Sequence, residues 1–285
     1  MPLNINTNTA ASSASYFLSK NNAALQKSLT RLSSGSRITE PADDAGGLAV
    51  SMKLSGTINR LTGVEKNIDN AISFLQVQDG ILDSAGQILD RMAELKALSQ
   101  DVLKNDSDIA NYNAEFKNLQ VQLYQMSETK FNGVSLFAST YINAAGVQTN
   151  ATFNTSGSGN TVSIFTSATG ESGSKVSINK TALLAALTIT STAGAVDTKN
   201  TFQSAAGSAA IYSFGSQTSA GAFELGDVSV AVFTQALQNV ATLRAENGGS
   251  VSRLQFAKES ASAQKTNLEA ANGRIMDIDI AQEST

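Results

Sequence analysis

The side chains that most often carry catalysis are scarce in this chain of 285 residues. It has no Cys and no His, which excludes a thiolate nucleophile, a Cys-ligated metal site and imidazole acid–base chemistry. The remaining candidates are carboxylates, which stand close together at residues 43–44, 106–108 and 277–279. Acid–base or metal chemistry would have to arise at one of these three groups.

Each carboxylate group has a simpler structural interpretation. Successive helical residues point about 100° apart, so Asp43 and Asp44 do not converge on one bond. Segment 106–108 lacks the glycine and final glutamate of a calcium loop, and segment 277–279 has no further ligands beside it. We interpret the three groups as acids at a helix start, a turn and a solvated bend. The sequence predicts no enzyme, no metal and no cofactor.

Net charge and hydropathy exclude two further classes of protein. The chain has 20 basic and 24 acidic residues, a net charge of −4, without the basic surface expected of a nucleic-acid binder. No stretch approaches the 18 consecutive apolar residues that suggest a membrane span. No basic residue precedes Lys20, so we expect no Sec-type signal peptide.

A heptad repeat dominates the N-terminal half of the chain. The companion row of this repeat holds Val64, Ala71, Ala85 and Met92, and Gln78 interrupts it. The main row consists of Leu54, Leu61, Ile68, Leu75, Leu82 and Leu89. Such a seam predicts one long helix, over residues 44–103, packed lengthwise on other helices.

Similar repeats predict three further helices. A helix over 107–129 follows a polar turn, and the Asn132–Gly133 pair then indicates a short strand or hairpin. A C-terminal helix begins near Val230, where Gly248–Gly249 is a candidate break or kink. Its main row consists of Val240, Leu254, Ala261, Leu268 and Ile275, with Asn247 at the skipped position. The first 35 residues carry their own row, formed by Leu18, Leu25 and Leu32 with Leu29 beside it.

The connection between the first two helices has the chemistry of a helix–turn–helix link. Ser33-Ser34-Gly35 ends the first helix. Pro41 suits the first position of the next helix, which makes Glu40 its N-cap and places two acids in its first turn.

Composition changes in the middle of the chain. Residues 141–230 contain only seven charged residues but 27 Ser or Thr. Alternating polar and apolar residues predict strands at 162–164, 176–178, 187–190 and 228–230, with a short helix at 181–187. A flexible low-complexity linker is the alternative. The predicted fold is mainly α: a long antiparallel helical bundle formed by both chain termini, with a small β-rich inserted outer domain.

Several separate segments resemble one protein family. The segment RLSSGSRI followed by PADDAGGLAV resembles the N-terminal signature of bacterial flagellins, as does the start INTNTAASSA. TKFNGVSLF resembles the turn after their second core helix, and residues 236–285 resemble their C-terminal core. The resemblance covers roughly residues 1–140 and 230–285, in the expected order.

The resemblance implies a domain arrangement. It consists of an inner-core helix at 1–43, a helical core at 44–140 and 230–276, a variable β-rich outer domain at 141–229, and the start of a C-terminal inner-core segment at 277–285. Flagellins of this type continue beyond the position of Thr285 with an apolar helix that pairs with the N-terminal helix. We therefore expect the chain as it stands to polymerise poorly.

The resemblance also implies a function: a structural subunit that self-assembles into the flagellar filament for motility. It would be extracellular, exported by the flagellar type III route without a cleaved signal peptide. Its partners would be copies of itself, the filament cap and hook-junction proteins, and the export apparatus and its chaperone.

One further partner and two alternatives accompany this hypothesis. Arg91, Leu95 and Glu115 fall where flagellins contact an animal Toll-like receptor, although an ordinary exposed charge pair is the alternative for Arg91 and Glu115. A hook–filament junction protein shares the same terminal core. A flagellin-like surface adhesin would bind glycans through the middle segment, whose aromatic residues are Tyr141, Phe153, Phe165, Phe202, Tyr212, Phe214 and Phe223.

Overall fold

The computed structural model describes residues 8–138, 161–190 and 211–283. Within these ranges the helices are α1 (Thr9–Ser34), α2 (Ala45–Leu98), α3 (Asp106–Ser127), α4 (Leu183–Ala186), α5 (Val230–Met276) and α6 (Ile280–Glu283). The strands are β1 (Lys130–Phe131), β2 (Val134–Ser135), β3 (Thr161–Phe165), β4 (Lys175–Asn179), β5 (Thr188–Thr190) and β6 (Ile211–Ser213). They pair as three antiparallel two-stranded sheets, β1–β2, β3–β4 and β5–β6. The mainly α fold predicted from the heptads is confirmed.

The chain divides into two compact units. The first comprises residues 1–64 and 260–285, and the second comprises residues 65–259. Both α2 and α5 contribute residues to each unit. Among the described residues, no helix combines the length and the apolarity needed to cross a membrane.

The ends of α1 and α2 follow from local hydrogen bonds, and one predicted cap is wrong. The Asn8 side chain accepts from the Ala11 amide at the start of α1, and Gly35 ends the helix with φ 69°. Helix α2 is capped by Asp44, whose carboxylate accepts from the Gly47 amide at 2.8 Å, and not by Glu40. The short Asp44 side chain can bend back to the amide of the residue three positions later, Gly47, as an N-cap does. Residues 40–43 form a separate turn, in which the Asp43 amide donates to the Glu40 carbonyl.

The turn before α3 and the following hairpin form as the sequence predicts. The side chain of Asn105 accepts from the Asp108 amide at 2.8 Å, and the Asp108 carboxylate reaches back to the Asn105 amide, which completes a capping box. Asn132 (φ 48°) and Gly133 (φ 79°) lie between β1 and β2 in the left-handed conformation that a two-residue hairpin requires.

Two predictions for the middle and C-terminal segments are wrong. Residues 228–230 form no strand, because Val230 already begins α5. Helix α5 also runs unbroken through Gly248–Gly249, where the buried neighbours Asn247 and Leu254 hold it in place. The strands predicted around 162–164, 176–178 and 187–190 and the helix within 181–187 are present as β3, β4, β5 and α4, whereas β6 was not predicted. Residues 141–160 and 191–210 of the predicted outer domain, with residues 139–140 before it, lie outside the described residues.

The core of the second unit is built from heptad positions and a cluster of phenylalanines. Leu75, Leu82 and Leu89 of α2 are fully buried, together with Leu123 of α3 and Leu243 of α5. The cluster consists of four rings whose centroids lie 5.1 to 6.1 Å from their neighbours: Phe116, Phe214, Phe223 and Phe233. These rings connect α3 to the segment between β6 and α5 and to the first turn of α5.

Candidate functional site

The predicted packing residues fall into two groups. Those on α2 and in the middle of α5 are buried within the chain: Leu61, Ile68, Leu75, Leu82, Leu89 and Leu254. Leu54, Leu268 and Ile275 are half-buried. The row on α1 is exposed, from 43% at Leu32 to 64% at Leu18, and α1 has no buried residue. The heptad pattern of α1 therefore produces an apolar face that the described part of the chain does not cover.

The exposed face of α1 is larger than the leucine row alone. Tyr16 and Phe17 are also exposed, at 65% and 59%, and their rings meet edge to face with centroids 5.7 Å apart. An apolar surface of this extent, on a helix without buried residues, is typical of a surface that another protein segment covers.

Asp43 organises the charged residues of the first unit. Its carboxylate accepts from the Thr39 amide at 3.2 Å and the Thr39 hydroxyl at 3.1 Å, and it forms ion pairs with Lys27 and Arg31. The pKa of Asp43 lies far below its usual range, chiefly because the Lys27 ammonium binds the carboxylate and also because the two Thr39 donors do. Asp43 is thus a constituent of a fixed turn bound to α1, and the carboxylate pair predicted at a helix start is divided between a turn and a cap.

Residues from both ends of the chain meet in the same unit. The Arg37 amide donates to the Met276 carbonyl at 2.6 Å, and the Ile278 amide donates to the Gly35 carbonyl at 3.3 Å. Arg31 also contacts the Glu283 carboxylate at 3.5 Å. These bonds join the turn after α1 to the end of α5.

The carboxylates at 277–279 have structural roles. The Asp279 side chain accepts from the amides of Ala281 and Gln282, which caps α6, and the backbone of Asp277 forms an antiparallel β-bridge with that of Ser36. Among the described residues, no group of three or more potential acidic, His or Cys ligands is close enough to hold a metal ion.

The predicted receptor residues are only partly at the surface. Arg91 donates from Nε to Glu115 at 2.8 Å and from Nη1 to Glu94 at 2.8 Å, and all three side chains are exposed. The pKa of Arg91 is raised above its usual value, mainly because its guanidinium donates to the Glu115 carboxylate. Leu95, in contrast, is 0% exposed. Arg91 and Glu115 are available to a partner, whereas Leu95 packs inside the second unit.

The heptad analysis located two buried polar side chains, Gln78 and Asn247, as interruptions of the apolar rows, but it did not predict what they bind. Gln78 donates to the Leu136 carbonyl at 2.7 Å, and Asn247 donates to the Leu75 carbonyl at 2.8 Å. The Lys96 ammonium donates to the Leu225 carbonyl at 2.6 Å. These residues interrupt or end the apolar rows because each one binds a backbone carbonyl of another segment, and their heptad spacing was the available signal.

Charged residues also connect α2 with α5 in the second unit. Arg244 is bidentate to Asp79, at 3.0 and 3.2 Å, and donates to Asp83 at 2.6 Å. Lys258 binds Asp69 at 2.6 Å. The spacing of Asp79 and Asp83 by one helical turn allows one guanidinium to reach both.

Among the aromatic residues proposed as a glycan platform, those whose side chains the structure describes do not form one surface. Phe214 and Phe223 belong to the buried phenylalanine cluster, and Phe165 is half-buried on β3. Tyr141, Phe153 and Phe202 lie outside the described residues.

Comparison with known proteins agrees with this geometry. Residues 5–141 match the model of the bacterial flagellin N-terminal helical region, and residues 230–285 match that of the bacterial flagellin C-terminal helical region. These ranges contain the long helices α1, α2, α3 and α5.

Individual proteins show the same similarity along nearly the whole chain. A flagellin of Bacillus subtilis (strain 168) is 30% identical over 293 residues, covering 99% of this chain and 89% of that protein. The flagellar filament 30.7 kDa core protein of Treponema maltophilum is 29% identical, covering 98% and 88%. The crystal structure of Bacillus cereus flagellin, at 19% identity, has a TM-score of 0.45 and covers 73% of this chain and 94% of that one. From the two family models and the near-complete alignment to the B. subtilis protein, the chain belongs to the bacterial flagellin family.

Proposed function

We propose that the chain is a structural subunit of the bacterial flagellar filament. The observation that carries this function is its membership of the flagellin family through both helical regions, at opposite ends of the sequence. Relatives named as flagellar filament core proteins support the same role. The subunit acts outside the cell, as part of the flagellum, and its activity is assembly and not catalysis.

The packing residues have two roles under this proposal. The buried leucines of α2 and α5 keep each subunit rigid. The exposed row of α1, Leu18, Leu25, Leu29 and Leu32, packs against other subunits in the inner core of the filament. Burying about 25 cal/mol per Å2 of apolar surface supplies the driving force for this packing. A face that repeats along a polymer, without closing on itself, gives a helical filament.

The remaining partners follow from the same role. The subunit leaves the cell through the flagellar type III export apparatus with its chaperone, and it assembles between the hook-junction proteins and the cap. The domain boundaries at 43, 140, 229 and 276 separate the inner core, the helical core and the outer segment.

Sedimentation and negative-stain electron microscopy of the purified protein test the proposed function. One sample is the chain of 285 residues, and the second carries an additional flagellin-like amphipathic helix after Thr285. Filaments in at least one sample, grown from filament seeds, are the expected result. The absence of filaments in both samples at every concentration and salt condition would contradict the proposal.

Recognition by a Toll-like receptor is a second proposed role of the same subunit. It rests on the exposed ion pair of Arg91 and Glu115 on neighbouring helices. A receptor reporter assay compares the parent with R91A/E115A, and K117A serves as a control on the same helix as Glu115. The role predicts a lower response for the double variant alone. An equal response of all three proteins would show that the pair is only an ordinary surface ion pair.

A further inference from the structure

The chain contains three Asn–Gly pairs, and the fold places them in different surroundings. They are Asn132–Gly133, Asn247–Gly248 and Asn272–Gly273. The first pair forms the turn between β1 and β2, whereas the other two lie inside α5. Asparagine is a chemically labile residue, above all before glycine, which has no side chain to shield its amide nitrogen. Whether a pair reacts therefore depends on how firmly the folded chain holds it.

The reaction open to such a pair is deamidation through a cyclic imide. The glycine amide nitrogen loses its proton to hydroxide and attacks Cγ of the asparagine side chain. A new N–Cγ bond forms and the bond from Cγ to Nδ2 breaks, so that Nδ2 takes up a proton from water and leaves as ammonia. Water then adds to either carbonyl of the ring and opens it. The product is an aspartate or an isoaspartate, and the net reaction consumes one water molecule for each ammonia released.

The atoms of the hairpin pair are accessible to this reaction. Asn132 and Gly133 are both exposed, and their φ angles are 48° and 79°. The ladder bonds of a two-residue hairpin join the residues that flank the turn, here Phe131 and Val134. Within the described ranges, the Gly133 amide accordingly donates to no carbonyl and the Asn132 side chain forms no hydrogen bond. A Cβ added to Gly133 would meet no atom within 4 Å, so the space around the attacking nitrogen is open.

Attack also requires a rotation about the Cα–C bond of Asn132, which brings Cγ onto the Gly133 nitrogen. The turn makes this rotation when β1 and β2 separate, and each of these strands has only two residues. Short, exposed elements are those that open locally at a low free energy. Beyond the turn, Gln78 holds the Leu136 carbonyl at 2.7 Å, so the opening stays confined to the hairpin.

The pair in the middle of α5 is held in the opposite way. Asn247 is 3% exposed, and its Nδ2, the atom that would leave, donates to the Leu75 carbonyl at 2.8 Å. The Gly248 amide lies inside the helix, where each amide donates to the carbonyl four residues earlier. Reaction at this pair requires the middle of α5 to unwind and to separate from α2.

The pair near the end of α5 is protected to an intermediate degree. Asn272 is half-buried, and its Oδ1 accepts from the Ser51 hydroxyl at 2.7 Å. The Gly273 amide is helical, but α5 ends three residues later, at Met276, where unwinding is less costly. The Asp277 carboxylate lies 2.7 Å from the position of a Cβ on Gly273, and its negative charge disfavours loss of the amide proton.

We propose that Asn132 is a deamidation site of this chain, and that the fold makes it the most reactive of the three Asn–Gly pairs. This inference goes beyond the filament function and does not depend on it, because the reaction needs only the hairpin turn and water. Either product adds one negative charge at the turn. The isoaspartate also inserts Cβ into the backbone, which disrupts the two-residue turn that the pairing of Phe131 with Val134 requires.

Incubation in water labelled with heavy oxygen tests the site directly. The folded protein is kept at mildly alkaline pH, digested with a protease that works in acid, and analysed by peptide mass spectrometry. Ring opening adds one labelled oxygen atom, so the label records only the deamidation that occurs during the incubation. The Asn132 peptide should gain label at least about tenfold faster than the Asn272 peptide, which corresponds to a difference of about 1.4 kcal/mol in opening free energy. The Asn247 peptide should be the slowest.

The same protein unfolded in urea is the control for intrinsic reactivity. All three asparagines precede glycine, so their peptides should then gain label at similar rates. The contrast between the folded and unfolded samples isolates the contribution of the fold. Equal rates at the three sites in the folded protein would overturn the inference. So would an Asn132 peptide that stays unlabelled in the folded protein while it reacts in urea.

Two variants at the same position test the assignment through charge. Asn132→Gly removes the reactive side chain and keeps the turn, because Gly-Gly also suits a two-residue hairpin. Asn132→Asp supplies the charge of the product from the start. On isoelectric focusing, the incubated parent should develop an acidic band at the position of fresh N132D, whereas N132G should keep its original position. An acidic band that grows equally fast in N132G would place the reaction at another residue and overturn the inference.

Discussion

Gln78 and Asn247 show how one type of buried amide can differ in its energetic role. Each donates to a backbone carbonyl, and each has a side-chain oxygen without a hydrogen-bond partner in the structure. The Leu136 carbonyl bound by Gln78 follows a hairpin, whereas the Leu75 carbonyl bound by Asn247 lies inside α2 and keeps its own helical bond. Only the Leu136 carbonyl is left without a hydrogen-bond donor when the side-chain amide that binds it is removed.

This difference predicts unequal costs for the same type of substitution. Gln78→Leu should lower the free energy of unfolding by about 1–3 kcal/mol, because it leaves a buried carbonyl unpaired. Asn247→Leu should change that free energy by less than about 1 kcal/mol, because the Leu75 carbonyl keeps its helical hydrogen bond and is not left unpaired. Urea denaturation of both variants and the parent measures the two values. A larger loss for N247L than for Q78L would contradict this account.

Asp43 makes the first unit sensitive to acid. Because its pKa is lowered in the folded chain, its contribution to stability is complete above the unfolded value, near pH 4, and is lost as the pH falls toward the folded value. An NMR titration of the Asp43 carboxyl carbon should therefore give a midpoint well below pH 4. K27M should raise that midpoint, because Lys27 is the main cause of the shift. An identical, ordinary midpoint in both proteins would show that the ion pair does not form in solution.

Residue chemistry was the least predictable level. The absence of Cys and His left carboxylates, which local rules assigned to a helix start, a turn and a solvated bend, whereas the structure divides Asp43 and Asp44 between a turn and a cap. Those rules assigned the N-cap of α2 to Glu40 and not to Asp44, because a proline at position 41 is as good a signal for a helix start as an aspartate at position 44. The ion pairs Arg31–Glu283 and Arg244–Asp79 join distant parts of the sequence, so no local pattern reports them.

At the scale of the elements, helix α2 was predictable because its heptad repeat continues from Leu54 to Leu89, far longer than an apolar pattern that arises by chance within one helical turn. The observed helix ends at Leu98, earlier than the predicted residue 103, because residues 98–101 form a turn in which the Asp101 amide donates to the Leu98 carbonyl at 3.4 Å. Segment 228–230 misled the strand prediction, because a short alternation is also compatible with the first turn of a helix. Strand β6 was missed because its partner, β5, lies more than twenty residues away in sequence.

The α2–α5 contact should depend on apolar packing more than on its ion pairs. Leu82→Ala removes a fully buried side chain and should cost about 2–5 kcal/mol of unfolding free energy. Arg244→Met breaks a network whose members are about 40% exposed and should cost no more than about 1 kcal/mol. Urea denaturation gives both values. The R244M cost should fall further in 1 M salt because exposed charges are then screened; a cost comparable to that of L82A would contradict this ranking.

In the whole molecule, folding and assembly depend on different residues. Residues buried within the chain hold the helices together, whereas the apolar face of α1 contributes no buried residue to the isolated subunit. L25K/L29K should therefore leave helicity and melting temperature unchanged and abolish polymerisation. The charge-matched control N21K/N22K, at exposed polar positions of α1, should polymerise like the parent. Sedimentation makes the comparison with all three proteins in whichever form of the parent, the chain of 285 residues or the form extended after Thr285, gives filaments from seeds, and equal polymerisation of both variants would remove α1 from the assembly interface.

The most direct test of the account is a helical reconstruction by cryo-electron microscopy of filaments grown from this chain or from its extended form. We predict that α1 lies at the inner wall, with Leu18, Leu25 and Leu29 buried against neighbouring subunits. The outer segment should face the solvent. A filament in which the leucine face of α1 is exposed to solvent, or is not in contact with other subunits, would contradict the central claim.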